Sequence, residues 1–161
     1  MPGRLQHGDL WPGNVLRQEN SWWLLDYELF GAIRVPLYDA FHLLRTSDRI
    51  RRPRDGTWVA SLQQETAETA AARDILGRAA RRHGLAPEEV AAAFVYYVVD
   101  CAARNWRRQA SEDFWKPLFA EAETVADLEA SGVNLAAALL GDPAAAAPAA
   151  PVEDRALAAQ T

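Results

Sequence analysis

Two short segments carry oxygen-bearing side chains at a spacing that could support phosphoryl transfer. Residues 7–14 read His-Gly-Asp-Leu-Trp-Pro-Gly-Asn, and residues 24–28 read Leu-Leu-Asp-Tyr-Glu. Phosphoryl transfer needs a carboxylate that orients the acceptor hydroxyl and accepts its proton, together with oxygen ligands that hold Mg²⁺ against the phosphates. Mg²⁺ usually takes only one or two carboxylates from a protein. Asp9, Asn14 and Asp26 are therefore candidates for one such site.

The elements around these residues explain how they could meet. Two short apolar runs, 14–17 and 22–26, are separated by polar residues 18–21, which is typical of a β-hairpin. A hairpin returns its end towards its beginning, so we expect Asp26 to lie beside Asn14. After Pro36 the apolar spacing becomes helical. We predict helices over 37–44, 57–83, 87–108 and 112–130, an Arg-rich loop between the first two, and an Ala/Pro-rich disordered tail over 141–161.

The sequence of the two segments resembles the corresponding motifs of the aminoglycoside phosphotransferase and choline kinase superfamily. The resemblance continues through Gly31, Pro36 and Asp39, where members commonly read Gly-x-Pro-x-x-Asp before a helix, although the step from Gly31 to Pro36 is longer here. It is specific over residues 5–44, about a quarter of the chain. It implies the C-terminal lobe of a protein-kinase-like fold over residues 1–140. That lobe would be mainly α with a small β-hairpin and a helical subdomain over 36–131.

The resemblance also implies roles for individual residues. Asp9 would be the catalytic base, and Asn14 and Asp26 would hold Mg²⁺, with ATP or another nucleoside triphosphate as phosphate donor. His7 would support the loop, and Asp39 would hydrogen-bond it from beneath. Further residues are weaker candidates for a substrate or supporting role: Glu28 and Asp100.

Several of these residues have simpler interpretations. Asp100 lies on an otherwise apolar helix, where a salt bridge, a cap or plain exposure is the preferred interpretation and a substrate cavity is the alternative. The basic residues between 45 and 54 are interpreted as a solvated, charge-paired surface. Trp22 and Trp23 are interpreted as packing residues, since adjacent strand residues face opposite sides of a sheet.

The family also uses a glycine-rich loop and a lysine on the nucleotide phosphates. Only six residues precede His7, and the single lysine is Lys116, far downstream. We therefore expect an ATP-dependent small-molecule kinase fragment that is inactive alone. The alternatives are a non-catalytic vestigial or binding domain derived from such a kinase, or a helical interaction domain with a coincidental motif. An upstream reading frame that encodes a lysine-bearing strand would favour the kinase fragment over the vestigial or binding domain.

Composition limits the partners. A formal net charge of −5 disfavours general nucleic-acid binding, which needs a basic surface. The single cysteine, Cys101, permits no internal disulfide and favours a cytoplasmic setting. No apolar run reaches the length of a membrane span. The expected partners are a small molecule with a hydroxyl group and, in addition, either a separate N-terminal lobe or a second copy of the chain.

Overall fold

The computed structural model describes residues 5–51, 56–107 and 111–141. Within them the protein is mainly helical, with one small two-stranded antiparallel sheet, as the sequence predicts at this coarse level. The strands are β1 (Val15–Gln18) and β2 (Ser21–Leu24). The helices are α1 (Tyr38–Arg51), α2 (Trp58–Ser61), α3 (Ala67–His83), α4 (Pro87–Arg107), α5 (Glu112–Ala130) and α6 (Leu135–Leu140). Apart from Gly141, the predicted tail lies outside the described residues.

The predicted hairpin is present. Val15 faces Leu24 and Gln18 faces Ser21, so the turn consists of two residues. Its first residue, Glu19, has a φ of 51°, in the left-handed region that such tight turns require. The packing interpretation of Trp22 and Trp23 is wrong: within the described ranges their side chains are 67% and 54% exposed.

Helix α1 is longer than the sequence predicts. It continues to Arg51, through residues assigned above to an Arg-rich loop, of which 52–55 lie outside the described part. The loop was predicted from the many arginines in this segment, but one of them, Arg45, is a core residue. It is 6% exposed, and its guanidinium lies beside the carboxylate of Glu121. The interpretation of a solvated basic surface is therefore wrong for Arg45, although Arg49 and Arg51 are exposed.

The predicted single helix over 57–83 is two helices. Thr57 caps α2 by accepting a hydrogen bond from the Ala60 amide. Thr66 then starts α3 with a capping box, in which Thr66 and Thr69 each accept a hydrogen bond from the other's backbone amide. Each cap satisfies amides that a helix start leaves without an intrahelical partner. Ala- and Glu-rich composition gave no sign of the break, whereas the threonines mark it.

The core lies where α4 packs against α5, α6 and α1. Its largest fully buried side chains include Phe41, Phe94 and Tyr97, whose rings contact one another with centroids 5.2–5.9 Å apart. The sequence predicts that the helical subdomain ends at residue 131, but helix α6 extends it beyond that point. Leu135 and Leu139 bury this helix against α3 and α4. None of the helices described is both long and apolar enough to span a bilayer.

Candidate active site

The first turn of α1 braces the loop at 7–14. The carboxylate of Asp39 accepts two backbone hydrogen bonds, from the amide of His7 at 2.6 Å and from the amide of Gly8 at 2.8 Å. Gln6 adds a second connection, since its Nε2 donates to Val35 O and its Oε1 accepts from the Asp39 amide. Asp39 therefore makes the contact expected of it, and the loop is fixed to the helical body just before Asp9.

Gly8 is required by two independent features of this loop. Its φ is +85°, a conformation that side chains with a Cβ rarely adopt. A Cβ at this position would also lie 2.7 Å from Leu29 Cβ and 2.8 Å from Ile33 Cγ1. The loop can pack this closely on residues 29–33 only because position 8 has no side chain.

Asp9 and Asn14 are in direct contact. The Nδ2 amide of Asn14 donates to the backbone oxygen of Asp9 at 2.9 Å and lies 3.3 Å from its carboxylate Oδ2. A 3-10 turn over Pro12–Asn14 creates this arrangement, and Asn14 is buried within it. Because Nδ2 is directed at Asp9, the side-chain oxygen of Asn14 is the atom left for another ligand. No hydrogen bond to it is seen among the described residues.

The hairpin brings Asp26 back to Asn14. The amide of Leu25 donates to Asn14 O at 2.9 Å, which extends the β1–β2 pairing by one residue beyond Val15 and Leu24. Facing residues in such a pair are about 5.5 Å apart, and successive Cα atoms about 3.8 Å, so the Cα atoms of Asn14 and Asp26 lie within about 9 Å. Asp26 is exposed and has a φ of 61°, a left-handed conformation that aspartate tolerates better than most residues.

The side chain of His7 stabilises the loop by a hydrogen bond. It is buried, and its Nε2 lies 2.8 Å from Leu25 O. A carbonyl oxygen can only accept, so Nε2 carries the proton and donates it. The ring also packs on Tyr27, with centroids 5.0 Å apart. His7 thus ties the start of the loop to the strand end that carries Asp26.

The sequence interpretation missed His42. Its Nε2 lies 3.3 Å from Asp9 Oδ1, and its Nδ1 lies 3.2 Å from the hydroxyl of Tyr97. Burial by itself lowers the pKa of His42, but the hydrogen bonds and charges of Asp9 and Cys101 together more than offset it and leave the pKa raised above 6.5. One signal was available: His42 follows Asp39 by three positions on a helix, so both residues share the face towards the loop.

Within the described part of the chain, no contact joins the two weaker candidates to this group. Glu28 is exposed in the turn after Asp26. Asp100 forms an ion pair with Arg104 one turn further along α4, and that guanidinium lies over the ring of Tyr38, 4.8 Å from its centroid. The contact of Asp100 is therefore the salt bridge that one of its sequence interpretations predicts.

The donor set suits a weakly held hard cation. Across the described ranges, no three or more His, Cys, Asp or Glu side chains form a group that could hold a metal ion. The candidates are instead one carboxylate, Asp26, and one amide oxygen, from Asn14. Oxygen ligands in this small number fit Mg²⁺, which keeps several waters and takes further ligands from substrate phosphates.

Apolar side chains surround the loop. Trp11, Leu16, Leu24 and Tyr27 are all at least 39% exposed. Leu10 is only partly buried as well. The carboxylates thus lie beside an uncovered apolar surface formed by the loop and the hairpin, a kind of surface that often marks a binding site when it is extensive.

Comparisons with protein-family models, with curated proteins and with solved structures find no match to this chain. The chemistry of the site therefore has to follow from its own residues. Those residues are the half-exposed Asp9, Asn14 bonded to it, Asp26 returned by the hairpin, and Asp39 of α1, which holds the loop by hydrogen bonds.

Proposed function

We propose that this protein is the acceptor-side lobe of a small-molecule kinase of the aminoglycoside phosphotransferase and choline kinase type. The observation that carries the proposal is the contact of Asn14 with Asp9, on a loop to which the hairpin returns Asp26. The brace by Asp39 supports it, because a phosphoryl-transfer site works chiefly by positioning and electrostatics.

Asp9 is the general base in this proposal. Its side chain is 42% exposed, so an acceptor hydroxyl can reach it. The contacts with Asn14 and His42 hold its two carboxylate oxygens in place. The carboxylate orients the hydroxyl and accepts its proton as the oxygen attacks the phosphorus.

Asn14 and Asp26 would hold Mg²⁺. When bound, the ion would neutralise charge on the phosphates of the donor nucleotide. The protein's part is to keep the Asn14 amide turned, by its bonds to Asp9, so that its oxygen faces away from the base. The exposed carboxylate of Asp26 approaches from the neighbouring strand end.

The phosphate-binding lysine of such a kinase would come from a separate nucleotide-binding lobe. The only lysine in the sequence, Lys116, lies on α5 and is paired with Glu112 on the same helix. The apolar surface beside the loop is the face that such a lobe would cover.

We predict that the purified chain alone shows no measurable Mg²⁺-dependent phosphoryl transfer from ATP to alcohols. Without the lysine and the phosphate loop, most of the positioning and charge stabilisation is missing. Transfer can be followed with γ-labelled ATP against a panel of hydroxyl-bearing metabolites. Turnover of about 1 s⁻¹, within the ordinary kinase range, would show that the chain needs no second lobe.

The positive arm uses the complete enzyme, obtained by expressing this chain with any upstream reading frame that encodes a lysine-bearing strand. Transfer to at least one small alcohol is expected there. If the complete protein transfers no phosphate to any member of the panel, the non-catalytic binding domain becomes the better interpretation.

A further inference from the structure

We infer that His42 is a positioning residue for Asp9, holding its carboxylate through a relay that α1 and α4 supply. The inference rests on the proposed function in one respect: Asp9 matters as a base only if the protein transfers phosphate. The relay itself is a property of the folded chain and can be tested without catalysis.

The relay has two steps. Asp9 Oδ1 lies 3.3 Å from His42 Nε2, and His42 Nδ1 lies 3.2 Å from the hydroxyl of Tyr97. The burial of the members increases along this path. Asp9 is 42% exposed, the His42 side chain is 16% exposed, and Tyr97 is fully buried. An exposed carboxylate is thus anchored, through one imidazole, to the core.

The direction of the hydrogen bonds follows from Asp9. An ionised carboxylate can only accept, so the His42 Nε2 that lies 3.3 Å from Asp9 Oδ1 carries a proton and donates it. In neutral His42 the Nδ1 atom then has no proton, and it accepts from the hydroxyl of Tyr97. The protonated form of His42 donates to both partners.

Packing restricts the imidazole to this orientation. Tyr38 stacks on it with ring centroids 5.7 Å apart at 16°, and Tyr97 meets it edge-on at 6.0 Å. A ring held on two sides loses little further freedom when it bonds Asp9, so it can fix Oδ1 effectively. The carboxylate of Asp9, which is 42% exposed, then has a defined orientation towards an acceptor.

The electrostatic surroundings agree with this arrangement. The groups that act on the imidazole are Asp9 from the loop and Cys101 and Tyr97 from α4. Tyr38 of α1 stacks on the ring. Burial raises the pKa of both tyrosines, so these are neutral over the range in which His42 titrates. Because the pKa of His42 is raised, its bond to Asp9 contributes most stability below about pH 6.5 and loses that contribution as the pH rises through the raised value.

The test is histidine NMR on the chain as it exists, with ¹⁵N-labelled imidazoles. We expect neutral His42 to carry its proton on Nε2, and its pKa to fall in Asp9→Asn, while the signals of His83 on α3 serve as an internal control. Tyr97→Phe should change the Nδ1 shift of His42 and leave His83 unchanged. An Nδ1-protonated His42, or a His42 pKa that is the same in wild type and Asp9→Asn, would overturn the inference.

A kinetic readout follows in the complete enzyme. We expect His42→Ala to lower kcat by up to roughly 10²-fold through misplacement of the base, with little change in KM. His42→Gln can still donate to Asp9 and should recover most of the activity. Equal losses in both variants, with both folded by circular dichroism, would mean that His42 does not act through Asp9. A protein that passes the NMR test but transfers no phosphate would instead contradict only the proposed function.

Discussion

Replacement of Asp9 by asparagine is expected to lower the kcat of the complete kinase by roughly 10²-fold or more, because general-base catalysis contributes about that much. Asparagine keeps the shape of the side chain and an oxygen that can accept a hydrogen bond from Asn14 or His42. It cannot take the proton of the acceptor hydroxyl. The loss should therefore appear in kcat, with KM changed little.

Asp74→Asn provides the matched control. Asp74 is a half-exposed aspartate on α3, paired with Arg78 one turn away. The same charge change there should leave kcat within about twofold of wild type, as expected for a surface site. If Asp9→Asn and Asp74→Asn have equal kcat values, Asp9 is not the base, whatever else the loop does.

Replacement of Glu121 by alanine is expected to destabilise the fold by about 3–5 kcal/mol, the usual cost of removing one partner of a buried ion pair. Glu121 is 3% exposed and accepts hydrogen bonds from the amides of Trp58 and Val59 at 2.8 and 3.1 Å. Its Oε1 also lies 3.4 Å from Arg45 Nε. Alanine would leave the buried guanidinium of Arg45 without its carboxylate, and the amides of Trp58 and Val59 without their acceptor. Equilibrium unfolding in urea measures the difference.

Glu123→Ala, two residues further along α5, is the control. Its side chain is exposed, so the change should stay within about 0.5 kcal/mol. The double variant Arg45→Met/Glu121→Met removes both charges and should cost less than Glu121→Ala alone, since no unpaired charge remains. A free energy of unfolding for Glu121→Ala within 1 kcal/mol of wild type would mean that water or a rearrangement replaces the carboxylate.

The sequence was sufficient for the elements that local patterns define. The hairpin follows from apolar runs interrupted by a polar turn, and it returns Asp26 towards Asn14. The contact of Asp39 with the loop joins residues 31 and 32 positions apart, and it was expected only from the family resemblance.

Contacts between distant residues were not predictable in the same way. Arg45 and Glu121 are 76 positions apart, and His42 and Tyr97 are 55 apart, so no spacing rule connects them. Arg45 looked like a surface residue because arginines follow it, and its burial depends on a carboxylate that only the packing of α5 on α2 supplies. His42 could have been suspected only from its place on the Asp39 face of α1.

The central claim is that Asn14 and Asp26 hold a divalent cation beside Asp9, and paramagnetic NMR tests it most directly. Mn²⁺ accepts the same oxygen ligands as Mg²⁺, and it broadens amide signals near its site even when it binds weakly. With Mn²⁺ and ATP added, we expect signals from residues 9–14 and 25–27 to broaden first. Asp26→Asn should abolish that pattern, while Glu19→Gln, in the exposed hairpin turn, should preserve it. Broadening centred elsewhere, or a pattern unaffected by Asp26→Asn, would contradict the account.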